Sequence, residues 1–224
     1  MKMLIYVGDL VTDLPGIYLG GLIARDLEAE VTLLHIAPKK RKKKVEVKDG
    51  ESLLEQAKEK LEGIQVTTRI RRGHVAEKIL EEVEENQHDM VVITSSRIGG
   101  YPRDVSINRE ILPKMPCCVV IAKNPKKEIK RILMLTGGLH ISEAMVKIGA
   151  VLASAAQAKM TLLHVTANVP SMYTGLGTIE ETLEELLKTN TPFAQHLLRC
   201  ANILDEHNVP SNLKLKHGEP VYEI

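Results

Sequence analysis

Between Ser95 and Ser106 the chain reads SSRIGGYPRDVS. Hydroxyl groups, an arginine and adjacent glycines in so short a stretch can build an anion site. Gly99 and Gly100 would let backbone amides approach a ligand, and a helix starting near Asp104 or Ser106 would turn its positive end toward it. The residues so gathered are Thr94, Ser95, Ser96, Arg97, Gly99, Gly100 and Ser106. The opposing reading is a short turn whose glycines only admit left-handed backbone.

Other stretches carry weaker chemistry. KKRKKK at 39–44 could attract phosphate-bearing ligands, RNA or anionic lipid, or could simply be a solvated loop. His35 and His164 each close an LLH triplet. No Asp, Ser or Cys recurs beside them, so a repeated hydrogen bond at a strand end is the expectation, not catalysis. Adjacent Cys117 and Cys118 would point to opposite faces of a strand, a poor geometry for a shared metal and a good one for packing. Gly175 and Gly177 form a lone Gly-x-Gly that follows a second strand and lacks the dinucleotide-binding context. The sequence has no His-Glu-x-x-His, Gly-x-Ser-x-Gly or Walker pattern.

The bulk composition narrows the function classes. A formal net charge of +1, from 30 Lys plus Arg against 29 Asp plus Glu, supplies no global field toward nucleic acid or membrane. Hydrophobic content of 44% with only 3% aromatic describes an aliphatic core and argues against a stacking platform for single strands. Three cysteines without metal spacing suit a reducing compartment. The apolar run at the N-terminus is broken by Gly8 and Asp9, too early for a signal peptide or membrane span, so a cytoplasmic location is expected.

The elements that must position these residues follow from an internal repeat. MLIYVG at 3–8 recurs as ILMLTG at 132–137, and VTLLHI at 31–36 recurs as MTLLHV at 160–165, at one common offset. IRRGHVAEKI at 70–79 then recurs as LKHGEPVYEI at 215–224. Each copy reads strand, helix, strand, helix, strand. In the first, strands at Met3–Val7, Val31–Ile36 and Gln65–Arg71 alternate with helices at Leu14–Leu27 and about Ser52–Leu61, the latter with a Ser52/Glu55 capping box. A helix over Val75–Glu85 leads to the unbroken apolar run Met90–Ile93, and a further crossover leads to a fifth strand, Cys117–Ala122. Strands alternating with helices imply a parallel sheet, and the loop after the fourth strand then lies on its carboxyl edge. The segment NPKKEIK at 124–130 separates domains 1–124 and 130–224. The second copy is expected to hold strands at 132–137, 160–165 and 212–216, with helices over 141–156 and about 179–206, and to lack strands four and five. The chain is therefore expected to be a fragment of a longer one, or to have its open edge covered by another chain.

VTLLHI with MTLLHV, RRGHVAEKILEEVEENQHDMVVITSSR and MPCCVVIA, in this order and duplicated, resemble the universal stress protein family. The resemblance implies an α/β fold: an open parallel five-stranded sheet in the order 3-2-1-4-5, flanked by helices and here duplicated with an incomplete second copy. It also implies a stress-adaptation role, and an edge site in domain 1 lined by Gly8, Asp9, Ile36, Thr94, Ser95, Ser96, Arg97, Gly99, Gly100, Ser106 and Ile107. ATP-binding members resemble one another in a first-strand Asp and a longer glycine-rich loop. Here Gly8 stands at the Asp position, Val105 at a loop glycine, and the loop is shorter.

The expectation is thus a non-catalytic stress-response regulatory or adaptor protein, sensing a nucleotide or other anion at the carboxyl edge of domain 1. The alternatives are an ATP- or AMP-binding member with slow hydrolysis or autophosphorylation, and the cytoplasmic regulatory part of a membrane transporter. By the same resemblance, the fifth strand is expected to pair with that of a second copy, forming a homodimer.

Overall fold

The structure, a computed structural model, describes residues 1–38, 43–95, 97–98, 101–102, 110–123, 127–136, 142–166 and 187–224. The chain divides into two compact units, Met1–Lys127 and Glu128–Ile224.

In the first unit, β1 (Lys2–Tyr6), α1 (Leu14–Asp26), β2 (Glu30–Ala37), α2 (Lys43–Lys58), β3 (Val66–Arg72), α3 (Val75–Asn86) and β4 (Met90–Thr94) follow in order. A two-residue antiparallel ribbon, β5 (Arg97–Ile98) with β6 (Tyr101–Pro102), then a short 3-10 turn at Leu112–Lys114, lead to β7 (Cys118–Ala122). The sheet is parallel in the order β3-β2-β1-β4-β7, which is the expected 3-2-1-4-5. β1 is central, with Met3 beside both Val31 and Met90. Alternation along the strands divides the core: Leu4, Leu34, Ile36, Val91 and Ile93 pack with Ala76, Ile79 and Val83 of α3.

The helix expected from Ser52 begins at Lys43. Ser52 is therefore interior, where its hydroxyl accepts from Gln56 Nε2 at 3.2 Å, and the capping box does not form. Gly50, a poor helix residue, sits in the middle of α2. A Cβ there would lie 3.0 Å from His35 Cδ2 and 3.2 Å from Ile70 Cδ1, so the missing side chain is what lets α2 lie close over β2 and β3. Packing overrides propensity at this position.

Edge strand β3 is fastened to α3 by charge. Glu82, 0% exposed, receives Arg71 Nε at 2.5 Å and Asn86 Nδ2 at 2.9 Å, with Arg69 Nε at 3.4 Å. Arg71 also pairs with Glu85. Charges along an edge strand discourage stray pairing.

The second unit contains β8 (Arg131–Thr136), α4 (Ser142–Ala155), β9 (Lys159–Thr166), α5 (Pro192–Glu206), β10 (Ser211–His217) and α6 (Pro220–Glu223). Its three strands are parallel in the order β10-β9-β8. Thr191 caps α5, its hydroxyl accepting from Ala194 N at 3.2 Å, and Pro192 occupies the first turn. Ala194, Leu197, Cys200 and Leu204 recur at helical spacing and close over Met160 and Leu162 with Val146 and Ala150 of α4. On the outer strand β8, Leu133 and Leu135 stay 49% and 45% exposed.

Candidate functional site

β1 and β4 are neighbours in the first sheet, with β2 on the outer side of one and β7 on the outer side of the other. Their carboxyl ends thus flank the point where the strand order reverses, the usual ligand crevice of an open α/β sheet. Gly8 and Asp9 follow β1, and Thr94 and Ser95 end and follow β4, at these carboxyl ends.

The short loop from β1 to α1 is closed by its own carboxylates. Asp13 Oδ2 accepts from the amides of Gly8 at 2.6 Å and Asp9 at 3.0 Å. Asp9 Oδ1 accepts from the amides of Val11 at 2.9 Å and Thr12 at 2.7 Å, while the Thr12 hydroxyl donates to Asp9 Oδ2. Asp13 is 6% exposed. In the first turn of α1, Pro15 has no N–H, the Gly16 amide donates to Thr94 Oγ1 at 3.0 Å, and the Ile17 amide donates to the Asp13 carbonyl at 3.1 Å. Two carboxylates at a helix start are stabilised by its dipole. They also oppose a phosphate arriving at the same place, and the amides it would seek are engaged.

Thr94 locks α1 to β4. Its hydroxyl lies so close to the helix that a Cβ on Gly16 would fall 2.3 Å from Oγ1. Asp13, Thr12 and Gly16 were not among the expected site residues. An aspartate two residues before a proline at a helix start is the signal that points to Asp13.

Of the remaining expected residues, Ile36 is buried in the apolar cluster beneath α3. Arg97 lies in β5, its backbone paired with Pro102. Ser96, Gly99, Gly100, Ser106 and Ile107 lie outside the described residues, as does the helix expected near Asp104. In the KKRKKK run, Lys43 and Lys44 open α2 and 39–42 are not described.

The repeated histidine does make a repeated bond. His35 Nδ1 donates to the Val7 carbonyl at 2.9 Å, and His164 Nδ1 to the Thr136 carbonyl at 2.8 Å. The acceptor is the end of the neighbouring strand. Cys117 contacts the Cys118 carbonyl through Sγ at 3.7 Å, and burial pushes its thiol up to about 11, which keeps it protonated and a poor nucleophile at neutral pH. Burial raises the Cys118 thiol as well.

Away from this edge, a cleft of about 530 Å³ opens between α2 and β3, lined by Glu51, Leu54, Glu55, Thr68, Ile70 and Arg72. Among the described residues no group of three His, Cys, Asp or Glu side chains is placed to hold a metal ion. Among them, too, no helix is long and apolar enough to cross a membrane.

Residues 18–123 match the sequence model of the universal stress protein family. No curated protein sequence matches the chain. Among solved structures, a universal stress protein from Archaeoglobus fulgidus DSM 4304 is similar over 100% of this chain and 79% of its own, at 11% identity and TM-score 0.68. A functionally unknown protein from Pseudomonas aeruginosa PAO1 is similar over 97% and 74%, at 16% identity and TM-score 0.60. A universal stress protein from Archaeoglobus fulgidus in complex with dAMP covers 55% of this chain and 98% of its own, at 18% identity and TM-score 0.48. At these identities the likeness is one of fold.

Proposed function

Because a universal stress protein domain spans residues 18–123, we propose that this chain is a non-catalytic stress-response regulatory module that acts by engaging other proteins and does not turn over nucleotide. The observation that carries the reading is the Asp13 carboxylate seated on the Gly8 and Asp9 amides. The carboxyl edge of β1 already holds an anion of its own, and a second carboxylate, Asp9, stands beside it. Isothermal titration with ATP, ADP and cyclic AMP tests this directly. No saturable heat at millimolar nucleotide is the expected result. Binding with phosphate release would overturn it in favour of the ATP- or AMP-binding alternative.

The assembly that goes with this reading is a homodimer through β7. That strand forms one edge of the first sheet, and Ile121 on it is 40% exposed. An exposed apolar edge strand is a template for pairing with a second copy. Ile121→Lys is expected to convert dimer to monomer in light scattering; a wild-type chain that is monomeric at high concentration would contradict the arrangement.

A further inference from the structure

β3 is the outer strand of the first sheet on the side away from β7, and among the described residues it pairs with β2 alone. The phase of that pairing is fixed at both ends. The Val31 amide donates to the Gln65 carbonyl at 2.9 Å, and the Gly73 amide to the Ala37 carbonyl at 3.1 Å. In a parallel ladder a residue bonds to the two that flank its partner, so the odd-numbered residues of β3 turn their amides and carbonyls to β2. The backbone groups of Val66, Thr68 and Ile70 therefore point out of the sheet, the arrangement to which an added strand pairs.

Side chains of the same phase decide what such a strand would meet. Thr68, Ile70 and Arg72 line the cleft of about 530 Å³ beside α2, whose other wall is Glu51, Leu54 and Glu55. Arg69 and Arg71 lie on the opposite face, held by Glu82 and Glu85. Leu54, 1% exposed, and half-buried Ile70 form an apolar floor. Glu51 and Glu55 are exposed at its rim, one helical turn apart, or about 6 Å along α2. Alternate side chains of an extended strand repeat at about 7 Å, close to the same spacing.

We propose that the β3 edge and this cleft form a docking surface for an extended segment of a partner protein that carries a Lys-x-Lys pair. The segment adds as an outer strand and pairs with the backbone groups of Thr68 and Ile70. Its two lysines lay their aliphatic stems over Leu54 and Ile70, and their ammonium groups meet Glu51 and Glu55. Arg72, at the carboxyl end of β3, opposes a third cation, so the surface selects a spaced pair over a polybasic run. The inference goes beyond the protein-engaging role proposed above and is tested apart from it, because the carboxyl ends of β1 and β4 and the β7 edge take no part.

Fluorescence anisotropy of the full chain with labelled acetyl-Thr-Thr-Lys-Val-Lys-Thr-Thr-amide tests the surface. Acetyl-Thr-Thr-Lys-Lys-Val-Thr-Thr-amide is the control, of the same composition and charge but with its lysines on opposite faces of the strand. Saturable binding of the spaced peptide is expected, about tenfold weaker for the control and for the Glu51→Gln/Glu55→Gln double variant. Both glutamates are exposed, so the double variant is expected to fold as the wild type does. Hydrogen exchange decides the geometry: the spaced peptide should slow the amides of Thr68 and Ile70. No saturable binding at millimolar peptide, equal affinity for the two peptides, an unweakened double variant, or binding that leaves the Thr68 and Ile70 amides unprotected would each overturn the proposal.

Discussion

The Nδ1–H of His35 donates to the carbonyl oxygen of Val7 at 2.9 Å, tying the end of β2 to the residue that follows β1. Val7 is fully buried, so its carbonyl has no access to water if the imidazole is removed. Leaving such an acceptor without a donor costs roughly 1–3 kcal/mol. His35→Leu is expected to lower stability by that amount in urea unfolding. His35→Asn, which retains a donor near the Nδ1 position, is expected to recover about half of the loss. A leucine variant as stable as the wild type would show that the repeated histidine serves something other than strand registration.

Gly16 and Thr94 form the second tie, between α1 and β4. The amide of Gly16 donates to Thr94 Oγ1 at 3.0 Å, and a Cβ on Gly16 would overlap that oxygen at 2.3 Å. Gly16→Ala is therefore expected to cost about 1–3 kcal/mol by overpacking, despite the better helix propensity of alanine. Thr94→Ala removes the bond and the obstacle together. The double variant should be less damaged than the two single losses added, with a coupling of about 1 kcal/mol in a double-mutant cycle. Simple additivity would place the strain elsewhere.

The sheet order was legible because the repeat and the apolar runs at Met3, Val31, Met90 and Val119 mark each strand, and right-handed crossovers leave little freedom in joining them. Two features were not. The start of α2 was hidden because Gly50 reads as a breaker, and only the His35 and Ile70 side chains beneath it show why a glycine is tolerated in a helix. The closure of the β1–α1 loop was hidden because the sequence separates Gly8 from Asp13, whereas the fold returns the carboxylate onto the amides it has just left. Glycines and hydroxyls announce an anion site well, but a nearby aspartate that occupies such a site leaves only a helix-start signature.

Acid should weaken the first unit through the charges around α3. Arg71 holds the Glu85 carboxyl below its ordinary value by a hydrogen bond, so that contribution is present above the unfolded value of 4.5 and is lost as pH falls through the folded one. His88, between α3 and β4, acts higher in the range. It is buried, and burial lowers its pKa. Its contribution is whole above 6.5 and is lost below. Melting followed from about pH 7.5 to about pH 5.5 should fall for the wild type and fall less for His88→Leu, whatever that variant's absolute stability. Glu82→Gln, at any pH in this range, should cost roughly 2–3 kcal/mol, discounted from a fully buried pair because Arg69 is half-exposed. Parallel slopes for wild type and His88→Leu would remove His88 from the account.

Strand β8 presents the last test. Among the described residues it pairs with β9 alone, and Leu133 and Leu135 are exposed on it at 49% and 45%. In the first unit the position matching Leu133 belongs to Leu4, which is fully buried and packs with Val91 and the side chains of α3. An apolar edge strand left open in this way favours strand-to-strand association between molecules. Replacing Leu133 with Lys and Leu135 with Glu should therefore reduce concentration-dependent self-association in light scattering. Because neither side chain is buried, the cost in stability should stay below about 1 kcal/mol for each. A loss well above that, with association unchanged, would mean that both leucines act within the unit and that the edge is not where molecules meet.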